Sequence, residues 1–166
     1  LADPILFDEL GITVDYLYAD SDGRFSHPPE PLADNLTVLC EKMKDGNYDI
    51  GFAQDPDADR LVIVDENGRF IGEDYSLAFC MDYYLEMAKQ DAPNIVVNLS
   101  TSMIINDIAK KHRANVFHTK IGEPNVTEKM KEIDALIGGE GNGGVIVPEV
   151  GWGRDSLTGI TLALLH

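Results

Sequence analysis

With 166 residues, 44% of them apolar and 25% charged, the chain has the composition of a globular protein holding one ordinary domain or two small ones. Its formal charge of −16, from 29 acidic and 13 basic residues, leaves no overall field to attract nucleic acid or an anionic membrane surface. No run reaches the roughly 18 apolar residues of a membrane span, and no basic-then-apolar leader opens the chain.

Residues 1–10 read as a helix end, with Ile5, Leu6 and Leu10 on its apolar side and Gly11 as the stop. Ile12 to Tyr18 alternates weakly and predicts a strand. Asp20-Ser21-Asp22-Gly23 is turn chemistry, and His27-Pro28-Pro29-Glu30-Pro31 can continue neither helix nor strand. Asp34 or Asn35 opens a helix carrying Leu36, Leu39, Cys40 and Met43, stopped near Gly46. Cys40 and Cys80 fall in helical stretches and form no close pair, as expected of thiols in a reducing, cytoplasmic setting.

The stretch Tyr48 to Asp65 carries the strongest chemical signal. An apolar run leads in, Asp55, Asp57 and Asp59 follow at alternate positions, Arg60 closes the set, and a second apolar run leads out. Two strands joined by a loop fit this pattern. Carboxylates two residues apart share a face when extended and converge when the loop bends, giving the hard oxygen ligands that Mg²⁺ prefers. Arg60 adds a fork of donors suited to a phosphate beside the ion. Solvated turn chemistry explains the same acids, but the spacing lacks the closing glutamate of a calcium hand.

Asn67-Gly68 predicts a hairpin between Val64 and Phe70, placing one antiparallel edge on an otherwise parallel sheet. A boundary follows near Gly72. Beyond it, 74–89 reads as a helix, Asn94 to Leu99 as a buried strand, and Ser100 or Thr101 as the cap of a helix through Lys111 with Ile104, Ile105 and Ile108 inward. Asn115 to Thr119 reads as a strand, Val126, Met130 and Ile133 as a helix face, Ala135 to Ile137 as a strand, Gly138 to Gly144 as a loop, Val145 to Val147 as a strand, and Leu157 to Leu165 as a closing helix. The alternation is that of βαβ units.

Three further stretches carry polar groups where such sheets bind ligands. Ser100-Thr101-Ser102 sits between a strand and a helix, where either an anion or simple capping accounts for it. Lys120, in His118-Thr119-Lys120-Ile121-Gly122-Glu123, can touch a phosphate or move a proton; a solvated surface lysine is the plainer reading. His27, His112 and His118 show no metal-like spacing. In Gly138 to Gly144, Glu140 and Asn142 are the side chains with polar reach, suited to sugar hydroxyls, and the glycines otherwise make a flexible turn. Trp152 is a sugar platform or a lid over the core, and Arg154-Asp155 a capping pair for the last helix.

In this order the stretches resemble the alpha-phosphohexomutases, the family of phosphomannomutase, phosphoglucomutase and phosphoglucosamine mutase. His27 to Pro31 with Asn35-Leu36 is similar to a Pro-Glu-Pro segment of the family's second domain. Asp55 to Arg60 resembles its magnesium loop, Lys120-Ile121-Gly122 the lysine loop of its third domain, and Gly138 to Gly144 its sugar-specificity loop. The resemblance implies an α/β fold of two mixed-sheet βαβ domains, one incomplete: 1–72 as the later part of domain two and 73–166 as domain three. The chain opens on Leu1-Ala2-Asp3 without a methionine and closes on Leu164-Leu165-His166, and the resemblance leaves the first and fourth domains outside it.

The implied reaction moves a phosphoryl group between C1 and C6 of a hexose phosphate through a phosphoserine and a bisphosphate intermediate. Asp55, Asp57 and Asp59 then hold Mg²⁺, Arg60 steadies the phosphoryl group, Lys120 contacts substrate or assists proton transfer, and Glu140 with Asn142 binds the 3- and 4-hydroxyls. Pro56 replaces a usual glycine, Asn142 a usual serine and Gly144 a usual histidine, so the hexose stays open between mannose or glucose and glucosamine. The expected partner is a hexose phosphate, without nucleic acid or membrane, and the chain alone is expected to be inactive. Two other readings are a carbohydrate-binding module without chemistry and a Mg²⁺-dependent phosphatase with an aspartyl nucleophile.

Overall fold

The computed structural model describes residues 2–20, 23 and 28–166. The elements are α1 (Asp3–Leu10), α2 (Thr37–Asp45), β1 (Gly51–Gln54), β2 (Leu61–Val64), α3 (Glu73–Ala88), β3 (Asn94–Asn98), α4 (Ile104–His112), β4 (Asn115–Thr119), α5 (Glu123–Ile133), β5 (Ile137–Glu140), β6 (Gly144–Ile146) and α6 (Ser156–Leu165).

The second half is built on one alternating strand. In β3, Ile95 and Val97 face one core with Leu77, Met81, Ile105, Ile137, Val145 and Leu162, while Val96 faces another with Val126, Met130 and Ile146. A strand buried on both faces reads as a continuous apolar run, and it needs a helix layer on each side. Helices α3, α4 and α6 supply one layer and α5 the other. Each fully buried aliphatic side chain contributes roughly 1.5–3 kcal/mol of transfer free energy. The strand order is β4-β3-β5-β6, with β3 parallel to β4 and β5, and β6 antiparallel to β5.

In the first half β1 and β2 form a separate two-stranded antiparallel sheet, from Gly51↔Val64 to Gln54↔Leu61. Leu61 and Phe7 are buried with Ile160 of α6, which docks this half against the second. Both halves are α/β with mixed or antiparallel pairing, the predicted class.

Several local expectations change. Residues 12–18 form no strand: Ile12 N–H donates to Phe7 O at 3.0 Å, Asp15 pairs with Lys42 at 3.0 Å, and Val14 packs beside Phe7. In α1 the buried side chain is Phe7, while Ile5 is 67% exposed. Asn67-Gly68 makes a turn, with Gly68 N–H donating to Asp65 O, but the ladder beyond it is a single Val64↔Phe70 bridge. The antiparallel edge of the main sheet is therefore β6. Gly138 and Gly139 belong to the buried strand β5 rather than to a loop. Cβ atoms there would stand 2.4 Å from Met130 Sδ and 2.5 Å from Leu77 Cδ1, so glycine lets both helix layers approach. The expectations at Ser21, Asp22 and His27 lie outside the described residues.

Candidate functional site

Local geometry explains the acidic loop. Asp55 O accepts from Ala58 N–H at 3.0 Å, closing a turn in which Pro56 occupies the position whose φ it presets. Ala58 then takes a left-handed conformation, φ 56°. That bend carries the Asp59 and Arg60 N–H groups back to Asp55 Oδ1, both at 3.1 Å. The next half of the chain holds the bend in place: Ser156 Oγ donates to Ala58 O at 2.6 Å, and Leu61 N–H donates to Gly143 O at 3.1 Å.

Asp55, Asp57 and Asp59 each bring one carboxylate oxygen to within 4.8 Å of the other two. Asp55 is buried, Asp59 half-buried and Asp57 exposed. Arg60 Nε lies 2.9 Å from Asp55 Oδ2 and 3.6 Å from Asp59 Oδ1, yet neither oxygen receives an aligned hydrogen bond. Ion-paired to one shared nitrogen but short of aligned hydrogen bonds, the two buried oxygens are costly, and a hard cation is a partner that would satisfy them. Burial raises the Asp59 pKa; Arg154 opposes this, while Asp55 and Asp57 reinforce it. Burial likewise raises the pKa of Glu73, at the start of α3, against the pull of Arg60.

The sequence predicts Arg154-Asp155 as a capping pair for α6. Asp155 alone caps α6, accepting from Leu157 N–H at 3.1 Å and Thr158 N–H at 3.2 Å. The Arg154 guanidinium instead joins three carboxylates. Nη1 donates to Glu140 Oε2 at 2.7 Å, Nε to Glu123 Oε2 at 3.0 Å, and Nη2 to Asp59 Oδ2. Asp59 belongs to the acidic loop and Glu140 to β5, so this one side chain links two of the predicted site stretches.

Glu140 is 3% exposed and both its oxygens are occupied. Oε1 accepts from Asn98 Nδ2 at 2.6 Å and Gly122 N–H at 2.9 Å, and Oε2 from Arg154. Asn98 Oδ1 in turn accepts from Ser100 and Thr101 hydroxyls at 2.9 and 2.8 Å, and Thr101 Oγ1 accepts from Gly141 N–H at 3.0 Å. Those hydroxyls therefore brace Asn98 rather than cap α4. The N–H of Ser102 is taken by Asp74 Oδ1 at 2.8 Å, so a carboxylate already stands where an anion is one of the two readings from sequence. Asn142 is half-buried, its Oδ1 accepting from Gly144 N–H at 3.3 Å. Lys120 is exposed beyond β4, as is Ile121. Trp152 is 42% exposed, with Lys131 Nζ 5.0 Å from its ring centroid.

The structure thus gathers the three aspartates, Arg60 and Glu140 around Arg154, with Asn142 in the turn between β5 and β6. Sequence reasoning missed Arg154, Glu123 and Asn98. Asn98 alone carried a signal, as a polar residue at the carboxyl end of a buried parallel strand, where α/β sites gather.

Residues 72–165 match the family description "Phosphoglucomutase/phosphomannomutase, alpha/beta/alpha domain III", and residues 3–68 match that of domain II. A phosphoglucomutase/phosphomannomutase of Thermococcus kodakarensis is 42% identical over 153 residues, covering 92% of this chain and 33% of the relative. The phosphoglucosamine mutase of Methanocaldococcus jannaschii is 37% identical over 148 residues, 86% of this chain and 33% of that protein. The crystal structure of a phosphoglucomutase/phosphomannomutase family protein from Burkholderia thailandensis superposes with a TM-score of 0.85 at 28% identity, over 99% of this chain and 37% of the other. The chain spans about a third of the length of the curated relatives it matches.

Proposed function

The chain belongs to the phosphoglucomutase/phosphomannomutase family, and from that premise we propose that it supplies the metal platform and sugar-binding loop of a phosphohexomutase. The observation carrying this reading is the aspartate triad, with two buried oxygens that receive no aligned hydrogen bond from the described residues. The reading divides the chain into 1–72 and 73–166, a division supported by the separate matches over 3–68 and 72–165.

In this reading Asp55, Asp57 and Asp59 hold Mg²⁺, which when bound draws charge from the phosphoryl oxygens as transfer proceeds. Arg60, anchored beside Asp55, offers its remaining N–H groups to the equatorial oxygens of the migrating phosphoryl group. Lys120, exposed on the lip beyond β4, contacts the substrate phosphate or moves a proton at the reacting hydroxyl. Glu140 and Asn142 take the 3- and 4-hydroxyls of the hexose; for Glu140 this requires exchange of one existing bond, with Asn98, Gly122 or Arg154. The phosphoryl group travels between C1 and C6 by way of a phosphoserine and a bisphosphate, and the serine is not among the residues matched here.

The test is turnover by the protein carrying this chain. Mannose, glucose and glucosamine 1-phosphates are offered with Mg²⁺, and formation of the 6-phosphates is followed. Interconversion of at least one is expected. Binding of all three without interconversion would replace this reading with that of a binding module. Release of inorganic phosphate as the sole product would indicate a phosphatase. The isolated 166 residues should show no turnover.

A further inference from the structure

Arg154 joins the acidic loop, α5 and β5, and its side chain is only 15% exposed. Around it and Arg60 stand five carboxylates, Asp55, Asp57, Asp59, Glu123 and Glu140. The guanidinium is a rigid planar fork, so the nitrogen on Glu140 and the nitrogen on Asp59 cannot move independently. Of the two Asp59 oxygens, Arg154 holds Oδ2, while Oδ1 is the buried atom left without a donor. Arg154 therefore fixes which oxygen of Asp59 is presented to an ion.

The backbone is shaped to admit this side chain. A Cβ at Gly144 would stand 2.2 Å from Arg154 Cδ and 3.0 Å from its Cγ. Gly144 carries no positive φ, so glycine is needed here for space rather than for conformation. Two features far apart in sequence, a missing side chain at 144 and a buried arginine at 154, thus describe one fitted object.

We infer that Arg154 is a positioning residue that couples ion binding at Asp55, Asp57 and Asp59 to hexose phosphate binding at Glu140. The inference rests on the function proposed above. When Glu140 turns to a sugar hydroxyl, the shared fork shifts on Asp59 Oδ2 and re-aims Oδ1. When an ion draws Asp59, the same fork re-aims Glu140. Linkage requires the effect to be equal in both directions.

The test measures Mn²⁺ affinity by electron paramagnetic resonance, with and without mannose, glucose or glucosamine 6-phosphate, in the protein carrying this chain. The converse, hexose phosphate affinity with and without Mn²⁺, is measured by calorimetry. Wild type should show a reciprocal tightening of about fivefold or more. Arg154→Lys keeps the charge but loses the rigid fork that ties Glu140 to Asp59, and Gly144→Ala displaces the arginine while deleting no charge. In both, the coupling should fall to within about twofold of unity, while each ligand still binds alone. If Arg154→Lys fails to fold, Gly144→Ala decides the matter. Coupling that survives in a folded variant overturns the inference. So does wild-type protein that binds both ligands with no coupling, and the proposed function then still stands. Failure of wild type to bind Mn²⁺ or any of the three sugars removes both.

Discussion

Two carboxylate clusters in this protein are built on opposite principles. At Asp82 one carboxylate faces three basic side chains: Lys111 Nζ lies 2.8 Å from both oxygens, His112 Nε2 2.6 Å from Oδ1, and His166 Nε2 3.3 Å from Oδ2. At the acidic loop, five carboxylates share two guanidiniums and two buried oxygens are left without hydrogen bonds. Burial opposes ionisation at Asp82, but the bonds from Lys111, His112 and His166 win and hold its pKa down at about 2. Burial also opposes ionisation at Asp59, and there Arg154 does not win. A satisfied cluster ties helices together. A cluster short of positive charge is one that a cation would stabilise.

The largest expected effect comes from removing one proposed ligand of the deficient cluster. Asp57 is exposed, so Asp57→Asn leaves the fold unstrained and relieves repulsion among the aspartates. On the proposed function, turnover by the protein carrying this chain should fall by roughly 100-fold or more, about 2.7 kcal/mol of transition-state stabilisation, with the unfolding midpoint unchanged or slightly raised. Full activity in this variant would remove the metal assignment.

The second prediction separates the clusters by ligand. Mg²⁺ at about 100 times its dissociation constant should stabilise the protein by about 2.7 kcal/mol, read as a rise in the thermal midpoint, and chelation should reverse it. The rise should vanish in Asp57→Asn and persist in Asp82→Asn. An equal loss of the Mg²⁺ response in Asp82→Asn would mean that the two clusters are not independent.

These clusters also differ in how much of them could be read from the sequence. The aspartates lie within five residues, and their spacing, Pro56 and the flanking apolar runs dictate one bend, so local pattern was enough. The rest of the site depends on long-range contacts. Arg154 meets Asp59 across 95 positions, and Glu140 meets Asn98 across 42. No periodicity reports such pairs, and the arginine's neighbour Asp155 offered a simpler capping role for both. Gly138 and Gly139 misled for a related reason. A glycine run signals a loop unless one knows that Met130 and Leu77 press on it from two sides. The main sheet was legible because β3 is an unbroken apolar run. The strand expected at 12–18 was not formed, because alternation alone supplies no pairing edge.

The third prediction uses pH on the saturated cluster alone. The folded pKa of Asp82 lies below the ordinary 3.8, so its stabilising effect is complete above about pH 4 and is lost as pH falls toward about 2. The contribution is on the order of 1 kcal/mol once partial exposure is allowed for. Wild type should lose that increment between pH 4 and 2 in denaturant titrations, and Asp82→Asn should show a flatter profile there. Identical profiles would mean that the ion pairs around Asp82 carry no net stability.

The smallest effect concerns a cation that serves neither cluster. Lys131 covers one face of the Trp152 ring at 5.0 Å while leaving the tryptophan 42% exposed. A ring with a face already covered is better suited to packing than to stacking a sugar, although its exposed edge still borders Gly151 and Gly153. Lys131→Ala should therefore cost only about 0.5 kcal/mol, the worth of an exposed cation–π contact. Because the lysine belongs to neither carboxylate cluster, the Mg²⁺ response and the acid profile should both be unchanged. A tryptophan that gripped substrate would behave differently: uncovering its second face would lower KM for the hexose phosphate, with kcat unaffected. No change in KM would leave Trp152 as a lid over the core, the other role its sequence position allows.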